Sequence, residues 1–374
     1  ITSYTHFTRQ VYPTLYYPNG DRRVTASGHS LSVFDGVTFR GTVLYRMSPI
    51  VSFQPGIDIN LETGDGERIK AGVQRINDYA FFITSEITPV KNLNIRPGLR
   101  FIRNSVYDAP PAIPSLNLKW GLSDRLDLRA AYARGFRSPS IRELYFDFHD
   151  GSHDIMGNTD LQAEFSNSFT ASLTFAAIKK EDLQLQTSLS GFYNDVSNMI
   201  GYLYSASNSN SATYGNIDKY KTQGTTLEAR LTHKNLRASV GFSCTGRYNR
   251  YKTEDPALAS FKWSMETNAG ISYTFPKIGM DINFFYKLTG KLPYYELTTI
   301  DGKEVVHLMQ NDGYHWADFT VNKKIFKLLT LNAGLHNLFN VTDIGNSALS
   351  TSAHSSSGYS VAYGRSWFAG LAFN

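Results

Sequence analysis

The chain has 374 residues, of which 41% are hydrophobic and 14% aromatic, with 23 Tyr, 24 Phe, 29 Gly, one cysteine and a formal net charge of +5. Its basic residues are scattered along strands and turns and form no nucleic-acid-binding cluster. A lone cysteine, Cys244, excludes an internal disulfide, and the lack of any apolar run of about 18 residues excludes a membrane-spanning helix. Two all-β classes share such a composition: a soluble sandwich and a membrane barrel with aromatic girdles.

Taken in order, residues 1–35 read as an irregular strand end (VYPTLYY) and a loop. Ile1 is neither an initiator Met nor the head of a signal peptide, so the chain is expected to be processed, trimmed or incomplete at its N-terminus. From Gly36 the pattern sharpens into strands, predicted over 36–47, 50–62, 77–87, 92–104, 114–122, 125–136, 163–175, 182–205, 214–233, 235–249, 261–275, 278–290, 314–326, 328–339 and 363–374. Apolar and polar residues alternate along them, as in Leu183, Leu185 and Leu189 against Gln184, Gln186 and Ser190. Many of these runs exceed the usual strand of about 5 or 6 residues. They suit a membrane crossing.

The connections alternate short and long. Short ones fall at 89–91, 123–124, 177–181, 233–235 and 276–277; long ones at 62–76, 104–113, 137–162, 206–213, 250–260, 291–313 and 340–362. Outer-membrane barrels have short periplasmic turns and long extracellular loops. If the last strand runs down to the periplasm, every long loop falls outside without a parity error. The closing strand carries Trp367, Ala369, Leu371 and Phe373 on one face. The fold class expected is therefore an all-β, antiparallel transmembrane β-barrel, with about 15–16 strands.

One long loop, 137–162, stands between two of the clearest strands. In it Arg137 and Glu143 can brace the base by an ion pair, Pro139 stops the strand, and Asn158 and Asp160 suit a turn into the next strand. Tyr294, Tyr295, His307 and His315, in the stretch 294–316, form a second group of candidate ligand contacts. Tyr314 and Trp316 beside them fit an extracellular aromatic girdle.

Several segments together resemble a known family. GFRSPSIRELY (135–145), GNTDLQAE (157–164), SNSFTASLTF, the FYND at 192–195, GLHNLFNVTD (334–343) and the terminal YGRSWFAG resemble, in order, the C-terminal two-thirds of TonB-dependent outer-membrane receptors. Ser138 and Thr159 depart from the first two boxes. Members of that family have about 22 strands and a plugged lumen. The resemblance thus implies that the whole chain, 1–374, is the C-terminal part of one barrel domain in the bacterial outer membrane, with the plug and first strands outside it. It also implies coupling to the TonB energy-coupling complex through that missing N-terminal plug, contact with outer-membrane lipid, and a surface lipoprotein or haemophore as a candidate partner. No permanently bound cofactor and no nucleic acid are expected.

The resemblance extends to receptors of haem and haemoproteins, which carry a histidine in the loop between the two boxes. Here that loop holds His149 and His153, either of which would serve as a metal ligand only through haem iron, with Tyr145 and Phe148 as stacking partners. Import of haem or a haemoprotein-derived iron source is the leading expectation. A corrinoid or ferric-siderophore receptor, a glycan or peptide importer and a passive 16-stranded porin are the alternatives. No nucleophile elbow, HExxH or phosphate-cradling glycine loop is present, so an enzyme is not expected.

Overall fold

The structure is a computed structural model. It describes residues 1–12, 14–16, 21–24, 29–149, 154–205, 211–250, 261–300, 303–326, 328–347 and 358–373. Antiparallel wall strands follow one another as a meander: β1 (Thr2–Val11), β2 (Ser30–Thr42), β3 (Val51–Gly66), β4 (Gln74–Val90), β5 (Leu93–Asn104), β6 (Ile113–Ser123), β7 (Leu126–Arg137) and β8 (Glu164–Lys179). They continue as β9 (Leu183–Ser205), β10 (Ser211–His233), β11 (Leu236–Arg250), β12 (Lys262–Phe275), β13 (Met280–Thr289), β14 (Tyr314–Phe326), β15 (Leu329–His336) and β16 (Ser366–Phe373). With five short loop strands they belong to one 21-stranded sheet.

Register explains why alternation specifies this wall. On one face the ladder aligns Leu128 with Leu173, Leu173 with Leu189, Leu189 with Leu227 and Leu227 with Phe242. The opposite face aligns Arg129, Ser172, Ser190, Thr226, Ser243 and Glu266. Leu189, Leu227 and Ile271 remain about half exposed. A soluble sandwich would bury such a row; a barrel wall turns it to lipid and the polar row to the lumen. A one-residue slip would exchange the two faces, so the pattern itself fixes the register.

Short connections all lie at one end. Lys234 in the β10–β11 turn and Gly279 after the short 3-10 turn Pro276–Ile278 take φ 51° and 57°, which lets the chain reverse within a few residues. Residues 1–35, expected to be irregular, instead hold a ten-residue strand whose partners run from Thr2↔Phe39 to Val11↔Ser30. Its Ser, Thr and His residues obscure the apolar period. Tyr363, expected in the last strand, precedes it. Strand register also moves Tyr314 and Trp316 from the girdle to the lumen side, since Trp316 aligns with Lys287 and its indole donates to Asp318.

The NLFN segment is a knot of polar caps. Asn337 is 1% exposed at φ 55°; its backbone N–H donates to Asp318 Oδ1, and its side chain donates to Val341 O and accepts from Val341 N. Asn340, also left-handed, accepts from Arg365 N, while the Arg365 guanidinium donates to Leu338 O. The 337–341 turn is thereby tied to Arg365 at the start of β16. Asn337→Ala is expected to lower stability by about 2 to 3 kcal/mol through two lost buried hydrogen bonds and a left-handed alanine. Asn337→Gly relieves only the backbone part, so its melting temperature in detergent should fall between wild type and Asn337→Ala.

Candidate functional site at the pore mouth

Strands β9 and β10 have 23 residues each, about twice the roughly 10 needed to cross a bilayer. Their extracellular halves become a scaffold for the loops. The loop after β7 begins with helix α1 (Ile141–Tyr145) and a small hairpin, Asp147–His149 with Asp154–Met156. That hairpin pairs with β10 through Ile155↔Ala212, while Leu292–Ile300 of another loop pairs with β9 through Tyr204↔Thr298. Lys303–Asn311 completes the second hairpin, and an Asn311↔Asn346 bridge ties in the loop after β15. The segments 291–313 and 340–362, expected as plain loops, thus contain short strands. Two loops thus join the wall sheet, and a third is tied to it by a single bridge.

A compact core fastens α1 to this sheet. Ile141 and Leu144 are buried with Ile69, Ile76, Leu161, Ile200 and Tyr214. Ser140 caps α1 in a reciprocal capping box with Glu143, and Pro139 before it is fully buried. The β3–β4 loop is stitched alongside: Lys70 N–H donates to Tyr145 O at 2.8 Å and Asp147 N–H to Arg68 O at 3.0 Å.

At the loop base Arg137 forks between two carboxylates. Its Nη1 lies 2.9 Å from Glu143 Oε2 and its Nη2 2.6 Å from Glu164 Oε1, with Nε 2.9 Å from Glu164 Oε2. Glu164 Oε1 also accepts the Ile200 N–H. Burial works against ionisation of Glu143, but the Arg137 guanidinium and the Ser140 N–H and hydroxyl outweigh it and hold the carboxyl below its usual range. Asn158 donates to Tyr214 O, accepts from Asp160 N–H, and donates its own N–H to Glu143 O. Asn216, which carried no sequence signal, binds Gln162 through both its backbone N–H and its carbonyl. These residues brace the loop.

The expected ligand contacts are divided by the fold. His149 is exposed at the hairpin, its Nε2 hydrogen-bonded to Asp147 at 2.6 Å and its Nδ1 2.6 Å from Asp154 Oδ1 without hydrogen-bond alignment. The Arg68 guanidinium covers the Phe148 ring at 4.0 Å, and Tyr145 packs against the core below α1. His153 lies outside the described residues, as does the side chain of Tyr295. Tyr294 and His307 sit, partly buried, on the second hairpin. His315 faces the lipid side, bonded to the Tyr286 hydroxyl at 2.8 Å and beside Phe339. It is not in the mouth. An aromatic pair missed from sequence is there instead: the Tyr202 and Tyr214 hydroxyls lie 2.9 Å apart, with an Arg142 Nη2 3.5 Å from Tyr202.

Comparison with known proteins gives a consistent result. Residues 2–338 match the family model described as TonB dependent receptor-like, beta-barrel. The chain is 26% identical to the vitamin B12 transporter BtuB of Vibrio vulnificus, across 86% of this chain and 47% of that protein. It is 27% identical to hemoglobin and hemoglobin-haptoglobin-binding protein A of Haemophilus influenzae, across 58% of this chain and 21% of that one. The chain thus spans about half the length, or less, of these relatives. Among solved structures, a mutant ferric enterobactin receptor from Pseudomonas aeruginosa in complex with enterobactin superposes with a TM-score of 0.71 at 17% identity, covering 99% of this chain and 58% of that one. The siderophore receptor PirA from Acinetobacter baumannii gives 0.68 at 16%, covering 100% and 59%.

Proposed function

Since the chain belongs to the TonB-dependent receptor β-barrel family and is an outer-membrane protein, we propose that it is the barrel wall of a receptor that imports haem or a haemoprotein-derived iron source. Extracellular capture would be followed by TonB-driven displacement of a plug held by a part of the protein outside this sequence. No bond chemistry is involved, in keeping with a family of transport receptors rather than enzymes.

The observation carrying the haem reading is the Asp147–His149 pair. A carboxylate hydrogen-bonded to one imidazole nitrogen fixes the orientation of the ring, an arrangement common at metal-ligating histidines. Among the described residues the other nitrogen, Nδ1, is covered by Asp154, the register partner of His149 in the hairpin. Opening the hairpin would free it for iron. Hemin titration of the intact receptor, followed at the Soret band, tests this. His149→Ala should weaken binding about tenfold or more, as loss of an axial ligand does, and Asp154→Asn should strengthen it. Equal spectra for wild type and His149→Ala remove the assignment.

A second reading, a ferric-siderophore receptor, is favoured by Arg142 beside the Tyr202 and Tyr214 hydroxyls, a cationic and aromatic corner suited to an anionic chelate. Ferric enterobactin binding that Arg142→Ala abolishes and His149→Ala leaves intact would select it.

A further inference from the structure

We propose that the outer wall of β7 to β10 carries a binding site for the phosphorylated headgroup of an outer-leaflet glycolipid. The lipid-facing parity is set by the Leu128, Leu173, Leu189 and Leu227 row. Four residues further toward the extracellular end, the same face carries Tyr132, Phe169 and Tyr193, with the Tyr132 and Phe169 rings 4.8 Å apart and those of Phe169 and Tyr193 6.5 Å apart. Aromatic rings in this position mark the boundary between hydrocarbon and headgroups.

Just above the rings the chemistry changes to basic. Arg134 follows Tyr132 by two residues on the same face of β7, is exposed, and has no ion pair among the described residues. Beside it Asn167 accepts from the Tyr132 hydroxyl at 2.9 Å. On β10 the same face offers Lys221, 3.5 Å from Asp195 and touching Tyr193, and then Lys219, which donates to Ser197 at 2.6 Å. Asp195 offsets one of the three cations, so the patch keeps a positive excess.

Along these strands the charge is one-sided. At their periplasmic ends the same face shows Leu126 and Phe175, Leu185 and Leu231, with no Lys or Arg among them. Solvation alone would place cations at both borders. Confinement to the extracellular border matches a leaflet whose headgroups carry phosphate. Arg134 and Lys221 stand three strand steps apart, about 14 Å at roughly 4.8 Å per step, a span that suits a headgroup with two phosphates. Long basic side chains rising from an apolar wall reach such groups by snorkelling.

The site is tested by native mass spectrometry of the intact receptor in detergent, titrated with diphosphoryl lipid A, with its phosphate-free analogue, and with inorganic phosphate as competitor. Wild type should hold the diphosphoryl lipid at least about tenfold more than R134Q/K219Q/K221Q, and should discriminate against the phosphate-free analogue. The charge-conserving R134K/K219R/K221R should retain most of the binding, and far-UV circular dichroism shows that each variant keeps its sheet. Equal lipid occupancy in wild type and the glutamine variant, or equal uptake of the phosphate-free analogue, overturns the proposal. So does complete displacement by millimolar inorganic phosphate, which would make it a free-anion site.

Discussion

Arg137→Ala is expected to release the pore-mouth loop from its base and weaken ligand capture while leaving the barrel assembled. The substitution strands two carboxylates whose side chains are only 16% and 17% exposed. Breaking a fully buried pair typically costs about 3 to 5 kcal/mol. Arg137 is itself 44% exposed, so solvent screening reduces the figure to about 2 kcal/mol. Arg137→Lys keeps the charge but loses the fork that spans both glutamates, and should lie between the two. Limited proteolysis within 137–162, read beside the thermal melt, separates loop release from barrel unfolding. An unchanged cleavage pattern would show that the core under α1 holds the loop unaided.

The same contact has a pH signature. Glu143 is depressed in the folded state, so its contribution is present above the ordinary glutamate range, near about 4.3, and is lost as pH falls through the lower folded value. Loop protection in wild type should therefore decline on acidification in that window. In Arg137→Ala the decline should be smaller, because the guanidinium that lowers the carboxyl is gone.

Gly157→Val is expected to displace the loop altogether. A Cβ at this position would sit 2.6 Å from the Leu144 carbonyl carbon and oxygen and from Phe146 N. All three are backbone atoms at the end of α1, and Leu144 is 2% exposed in the core. No side-chain rotation can make room. Overpacking of this kind costs about 3 kcal/mol or drives the segment out of place. Hydrogen exchange would report it, since Gly157 N–H donates to Phe146 O and Asn158 N–H to Glu143 O; both amides should lose protection. Gly370→Ala on β16, where a Cβ meets nothing within 4 Å, serves as the neutral comparison, expected within about 0.5 kcal/mol of wild type.

The wall was legible because a membrane barrel writes its register into the sequence twice, as a two-residue apolar period and as alternating connection lengths. Both signals survive loss of everything above the membrane. β1 lacked the first signal, since its ten residues TSYTHFTRQV are mostly polar, and only pairing with β2 reveals it. The brace at the loop base was half legible. Arg137, Pro139, Glu143, Asn158 and Asp160 stand in short local motifs, whereas Glu164 binds Arg137 from the next strand and Asn216 reaches Gln162 from β10. Contacts over such separations leave no spacing to read. For the same reason the aromatic and histidine candidates of 291–316 were sorted only by register, which sends Trp316 to the lumen side and His315 to the lipid side.

The shared loop sheet constrains how this barrel can change over evolutionary time. Free-standing loops diversify by gaining and losing residues, with little effect on their neighbours. Here a single insertion between Asp154 and Met156 would shift the ladder with Ser211–Thr213, and through β9 disturb Thr298 and Thr299 as well. Changes of length are thus tolerated mainly at hairpin tips. New surface chemistry would arise by exchanging side chains on an unchanged hydrogen-bonded frame, much as binding surfaces evolve on a rigid scaffold.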